Sequence, residues 1–201
     1  CLVRTNKSPK LTPACMLEVS EGLEVTTESQ EIADYRKGLL ELILVNHPLD
    51  CPICDKSGEC DLQNNYFEYS GNSSVVADPK LHKKKLYPVN DRIVFDGERC
   101  ILCSRCVRFS ENISKTRQIV ITNRGNHATI EVANKGKYVD PYSECIADIC
   151  PVGALTKTNF RFKKRVWYLQ KTESACTLCA RQCNIEIHHQ NNQFIRSMPR
   201  F

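Results

Sequence analysis

Apolar residues change period along this chain, and each change marks an element. LEVSEGLEVTT (17–27) alternates apolar with polar, so residues 1–27 read as short strands with a turn at Glu21–Gly22. In TESQEIADYRKGLLELILVNH (27–47) the period lengthens. Ile32, Tyr35, Leu39, Leu42 and Ile43 fall at roughly helical spacing, Thr27 and Gln30 form a capping box, and Pro48 ends the helix. SGNSSVVADPKLHKKKLYP (70–88) has neither period and reads as loop. A compact segment follows from Arg92 to about Lys164, and RVWYLQKTESACTLCARQCNIEIHHQ (165–190) opens a further unit. The longest apolar run, LLELILV (39–45), is short and broken by Glu41, so no membrane span is predicted.

Cysteine content changes this picture. Thirteen cysteines in 201 residues suggest several small cores, each organised around a covalent or metal staple. Disulfides fit poorly, because thirteen is odd, the cysteines recur as Cys-x2-Cys pairs, and the opening CLVRTNKSPK lacks the apolar core of a signal peptide. That opening also lacks an initiator Met, the expectation for a fragment or a processed chain. The formal charge of +5 counts every cysteine as neutral, so metal-bound thiolates would move it toward zero or below. The basic run His82–Lys85 and RFKKR (161–165) are therefore weak pointers to nucleic acid.

Spacing sorts the thiols. HPLDCPICDKSGEC (47–60) holds His47, Cys51, Cys54 and Cys60, a complete four-ligand set that suits a zinc ion or an iron–sulfur cluster. Cys100, Cys103 and Cys106 form Cys-x2-Cys-x2-Cys, with Cys150 far downstream ahead of Pro151. A tight trio plus a remote Cys-Pro is the ferredoxin arrangement for a [4Fe–4S] cluster, whereas zinc sites usually pair one Cys-x2-Cys with another. A second cluster in this segment would need cysteines at 110, 140, 143 and 146. The chain has Ser110, Asp140, Ser143 and Ile146 there, which predicts one cluster. Cys176, Cys179 and Cys183 form another trio, for which His188 or His189 could be a ligand or merely a strand residue, and whose fourth ligand is expected beyond residue 201. Cys1 and Cys15 look like the tail of a larger set, and Cys145 reads as a buried small residue.

NHPLDCPICDKSGECDLQ (46–63), ERCILCSRCVRF (98–109) and DICPVGALT (148–156), in that order, closely resemble the large iron–sulfur subunit family of NADH–quinone oxidoreductase, respiratory complex I. The resemblance implies that Cys1 and Cys15 are the last two ligands of a plant-type [2Fe–2S] domain. It implies a [4Fe–4S] site at His47, Cys51, Cys54 and Cys60, and another at Cys100, Cys103, Cys106 and Cys150. Cys176, Cys179 and Cys183 resemble three ligands of a further [4Fe–4S] cluster found in some bacterial members. The implied fold is α+β and modular: a remnant of a β-grasp ferredoxin domain (1–30), a helical segment with the mixed histidine–cysteine site (31–75), a small ferredoxin-type [4Fe–4S] domain (76–165), and the start of a molybdopterin-oxidoreductase-like domain (166–201).

The implied function is electron relay from NADH, through a flavin on a neighbouring subunit and then these clusters, toward quinone. The implied partners are other peripheral-arm subunits, on the cytoplasmic side of the bacterial inner membrane, with membrane contact only through them. No Gly-x-Gly-x-x-Gly dinucleotide fingerprint occurs in the chain itself. Arg105 and Arg108 are candidates for tuning cluster potential, against the simpler role of surface salt bridges. An NAD-dependent formate dehydrogenase or NAD-reducing hydrogenase subunit shares these modules but commonly carries two ferredoxin-type clusters, so Ser110 favours complex I. A zinc-stapled nucleic-acid binder is the rival from another class, and it lacks interleaved stacking aromatics.

Overall fold

A computed structural model describes residues 1–69, 74–133 and 136–200. The chain forms two compact units, the first made of Cys1–Asn46 and Asn64–Lys80, the second of His47–Gln63 and the residues from Leu81 onward.

In the first unit, strands β1 (Leu2–Thr5), β2 (Ser8–Pro13) and β3 (Val25–Thr26) form an antiparallel sheet in the order β2-β1-β3. The turn at Glu21–Gly22 is present, with Gly22 at φ 69°, a left-handed conformation that costs glycine little. Of the alternating stretch around it, only Val25–Thr26 pairs as strand. Helix α1 (Gln30–Leu44) begins later than the sequence predicts. Its cap is Ser29, whose Oγ accepts from Ile32 N at 3.2 Å, and not Thr27. The buried face also differs: Ile32, Leu40 and Leu44 are inside, while Tyr35, Leu39, Leu42 and Ile43 are exposed. The period is readable, but in an apolar-rich LLELILV run it does not say which stripe turns inward. Lys80 donates to Leu44 O at 2.6 Å and Val45 O at 3.0 Å, meeting carbonyls left open at the end of α1. Helix α2 (Asp61–Tyr69) runs into this unit, where Arg36 donates to Tyr69 Oη at 2.7 Å.

The second unit is built on a sheet of β4 (Tyr87–Pro88), β5 (Ile93–Phe95) and β8 (Leu155–Lys157), with β5 central and antiparallel to both neighbours. Ile93 and Phe95 are buried together with Tyr138, Ile146 and Val152. Two short helices, α3 (Arg105–Arg108) and α4 (Cys145–Asp148), and the hairpin of β6 (Ile119–Thr122) and β7 (Thr129–Val132) complete this core. After α3 the chain widens into a π-turn over Phe109–Ile113. The last sheet has the order β11-β10-β9, from β9 (Gln170–Ala175), β10 (Asn184–Gln190) and β11 (Gln193–Pro199). Asn191 and Asn192, both at positive φ, make the two-residue turn between β10 and β11, a place where asparagine is favoured.

The basic run reads as a solvated loop from sequence, but its charges are engaged within the second unit. His82 pairs with Glu98 at 2.7 Å, Lys85 with Glu98 at 2.9 Å and Asp50 at 3.5 Å, and Lys83 donates to Ala128 O at 2.6 Å.

Candidate metal centres

All thirteen cysteines are free thiols. Cys100, Cys103, Cys106 and Cys150 line one common pocket, closed otherwise mainly by Phe95, Ile130, Val152, Ala154 and Leu155. Local backbone explains the convergence. Asp96 Oδ1 accepts from Glu98 N (3.1 Å) and Arg99 N (3.4 Å), turning the chain as it leaves β5. Leu102 and Ser104 then adopt left-handed φ values of 53° and 58°, a conformation that costs a non-glycine residue and curls the trio around the pocket. Cys150 arrives from the other side, at the end of α4 and ahead of β8.

Burial is the largest influence on these thiols. It pushes Cys100 up to about 11 and Cys106 up to about 12, and their neighbours' negative charges add to the rise. Cys150 is also raised, by burial first. Leu102 N, donating to Cys100 Sγ at 3.4 Å, pulls the other way. Four thiolates in an apolar pocket would repel one another, and a bound metal cluster would supply the positive charge that lets all four lose their protons.

The second set lies beside the first. Cys51–Ile53 forms a 3₁₀ turn, with Cys54 N donating to Cys51 O at 3.1 Å. Cys54 and Cys60 are both raised, again by burial first. Cys54 senses the charge of Cys60, and Cys60 that of Cys51. Nδ1 of His47 is buried. Cys60 Sγ is 3.6 Å from Pro151 O and donates to it, so the residue after Cys150 touches both ligand loops. At Gly153 a Cβ would lie 2.3 Å from Cys54 Sγ. Only glycine leaves the sulfur its place. Arg165 holds the same loop from outside, donating to Cys54 O at 2.7 Å and to Pro52 O.

The remaining predicted ligands are less enclosed. Cys1 immediately precedes β1 and Cys15 lies in the 3₁₀ turn Ala14–Met16 after β2; Ala14 N donates to Cys1 O at 2.8 Å, and both cysteines are exposed. Cys176, Cys179 and Cys183 occupy the loop between β9 and β10, closed by Cys176 N donating to Cys183 O at 2.8 Å. The histidines after them are engaged elsewhere. His188 is buried, accepting from Arg196 Nε at 3.1 Å and lying 3.2 Å from Glu186 Oε2, and His189 Nε2 is 3.1 Å from Thr172 Oγ1. Cys145 is half-buried at the start of α4, not buried as expected. Arg105 and Arg108 are exposed, and Arg108 spends its guanidinium on Cys103 O and Ser104 Oγ.

Ser110 is fully buried. Its Oγ accepts from Gln118 N (2.9 Å) and Ile119 N (3.3 Å) and pairs with Thr116 Oγ1 at 3.1 Å. Thr116 donates to Asp140 Oδ2 (3.2 Å), which also accepts from Tyr138 Oη at 2.8 Å. Ser143 and Ile146 are buried as well. A hydrogen-bonded lobe thus fills the positions that a second set of cysteines would need.

The donor set, the apolar pocket and the clearance at Gly153 fit iron–sulfur clusters. Among the described residues, no three His, Cys, Asp or Glu side chains converge closely enough to hold a single metal ion. A cubane takes one thiolate at each of four separate irons and needs no such convergence. Three features escaped the sequence reading: Gly153, Arg99 and Arg165. DICPVGALT contains the glycine, but nothing in one sequence says that a sulfur lies against it.

Fold and donor set together define an iron–sulfur protein of ferredoxin type. Comparison with known proteins agrees. A family model described as NADH-quinone oxidoreductase subunit 3, ferredoxin-like domain, matches residues 90–156, and one described as NADH-ubiquinone oxidoreductase-G iron-sulfur binding region matches residues 36–74. The G subunit of NADH-quinone oxidoreductase from Rickettsia felis is 36% identical over 200 residues, covering 100% of this chain and 30% of the relative. Its counterpart in Rickettsia typhi is 37% identical over 199 residues, covering 99% of this chain and 29% of the relative. A chain of the NAD+-reducing [NiFe]-hydrogenase, solved in the H2-reduced state, superposes with a TM-score of 0.72 at 29% identity, covering 83% of this chain and 71% of that one. Along its whole length the chain is similar to the G subunit of NADH-quinone oxidoreductase, and it spans about 30% of the length of those relatives.

Proposed function

We propose that the chain is an electron relay within an NADH–quinone oxidoreductase, holding two complete [4Fe–4S] sites side by side. One would be held by Cys100, Cys103, Cys106 and Cys150, the other by His47, Cys51, Cys54 and Cys60. When bound, the clusters supply one-electron redox chemistry. The chain's residues do the rest. Phe95, Ile130, Val152 and Leu155 keep water from the thiols, Leu102 N steadies Cys100, and the Cys150–Gly153 strip fixes one site against the other. The observation that carries this reading is the contact of Cys60 with Pro151, which makes the two ligand loops neighbours through a single residue.

Cys1 and Cys15 are proposed as half of a [2Fe–2S] set, and Cys176, Cys179 and Cys183 as three ligands of a further [4Fe–4S] cluster. The domain limits 1–30, 31–75, 76–165 and 166–201 are proposed with them. The partners would be neighbouring subunits of the peripheral arm, including the one that carries flavin and binds NADH, on the cytoplasmic side of the membrane. No helix among the described residues is long and apolar enough to cross a membrane. A subunit of an NAD-reducing hydrogenase is the second reading, favoured by the structural likeness. The hydrogen-bonded lobe at Ser110 speaks for the first.

Anaerobic iron, sulfide and zinc analysis of the purified protein, with EPR after reduction, tests the proposal. About eight irons per chain in the two complete sets, with cubane-type signals, is the expected result. About two or three zincs and no EPR signal after anaerobic reconstitution would overturn it in favour of a structural zinc protein.

A further inference from the structure

Arg99 immediately precedes Cys100, Asp50 immediately precedes Cys51, and the two form a two-pronged ion pair. Arg99 Nε donates to Asp50 Oδ1 at 3.2 Å and Nη2 to Asp50 Oδ2 at 2.7 Å. Arg99 is 2% exposed. Asp96, equally hidden, brings Oδ2 to within 3.5 Å of Nε. The same guanidinium stem lies against the clearance at Gly153: a Cβ there would be 3.5 Å from Arg99 Cδ and 2.3 Å from Cys54 Sγ. Arg99 thus belongs by sequence to one ligand loop and by contact to the other.

Arg99 is buried and Asp50 half-buried, and an ion pair shielded in this way is a poor means of gaining stability, since apolar side chains of similar volume often do as well or better. Its position suggests a different use. A guanidinium cannot lose its charge, and shielding from water lets that charge reach further than it would at the surface. Cluster potentials respond to nearby charge and to solvent exposure. Arg105 and Arg108, the arginines that sequence alone suggests, are exposed and therefore screened.

We propose that Arg99 is a positioning residue for the relay, a fixed positive charge that raises the reduction potential at the His47, Cys51, Cys54 and Cys60 site, with Asp50 as the opposing charge that sets how far. This rests on the cluster reading above. It predicts opposite responses from two residues that are partners in one ion pair. A purely structural pair would give the same response from both.

The test is an EPR-monitored redox titration of the full-length, cluster-loaded protein. Arg99→Gln is expected to lower the midpoint potential of the mixed site and Asp50→Asn to raise it, and the double variant should return toward the parent. Arg99→Lys keeps the charge, loses the two-pronged geometry, and should stay near the parent. The shift should be larger at the mixed site than at the four-cysteine site. Shifts of the same sign in both single variants, or unmoved potentials with parental EPR spectra, would overturn the proposal. Should Arg99→Gln fail to load iron, Asp50→Asn decides: a raised potential supports the proposal and an unmoved one overturns it. A parent protein without iron signals would instead sink the cluster reading itself.

Discussion

Replacing Gly153 with alanine adds one methyl group at a place where the structure has no room. The new Cβ would lie 2.3 Å from Cys54 Sγ, with Lys56 Cβ at 3.4 Å and Arg99 Cδ at 3.5 Å closing the other sides. An ordinary carbon contact is about 3.5–4.0 Å, so sulfur and methyl must separate by more than about 1 Å. Retreat is difficult. Cys54 is pinned by the 3₁₀ turn from Cys51 and by Arg165 on its carbonyl, while Gly153 lies between the buried Val152 and Ala154. Overpacking of this kind costs about 1–3 kcal/mol. The larger effect should be on loading, because a displaced thiol cannot hold iron where three other ligands expect it. Gly153→Ala is expected to lose most iron at the His47 site and keep the signal of the Cys100 site, read by iron analysis and EPR. Gly38→Ala is the control. Gly38 lies in α1 with nothing within 4 Å of a Cβ, and alanine should stabilise the helix by up to about 1 kcal/mol. Gly153→Ala with parental iron content and an unchanged spectrum would refute the reasoning.

Further predictions concern the lobe around Ser110 and the proposed ligand His47. Ser110→Ala removes the acceptor for Gln118 N and Ile119 N in a site without solvent, and should destabilise by about 1–3 kcal/mol in urea denaturation. Burial raises the carboxyl of Asp140, but hydrogen bonds from Ser114, Tyr138, Tyr142 N and Thr116 outweigh it, so it lies below the usual range. A lowered carboxyl contributes stability above its unfolded value, near 3.8, and loses that contribution as pH falls through the folded value. The stability deficit of Asp140→Asn should therefore be full at neutral pH and shrink below about pH 4, checked by denaturation across that range. Neutral imidazole leaves one negative charge fewer than thiolate, so His47→Cys should lower the potential of its site, and an unchanged or higher potential in a redox titration would count against ligation by His47.

The candidate ligand sets were more legible in the sequence than their surroundings. Cys100, Cys103, Cys106 and Cys150 could be grouped because metal spacing is a local code with one remote member. The pocket they share depends on β5 and β8 bringing residues 95 and 155 together, a long-range pairing that no window of sequence contains. The same limit explains α1, whose period was legible but whose buried stripe depends on packing against β1, an element distant in the sequence. Arg99 was hidden for a related reason: charge is visible in a sequence, burial of charge is not. Ser110 is the opposite case, since a missing cysteine at a known spacing was legible. The network of Thr116, Tyr138 and Asp140 that takes its place could be seen only in three dimensions.

That network has a consequence for how the protein meets iron shortage and oxidants. In a ferredoxin module with two clusters, both ends of the fold depend on a supply of iron and sulfide and on protection from oxygen. Here one end is tied by hydroxyls and a carboxylate, groups that neither oxidise nor wait for an assembly factor. A molecule stripped of metal would keep the hydrogen bonds around Ser110, Thr116, Tyr138 and Asp140, because none of them runs through a cysteine, while the loops of both proposed sites would lose their tie.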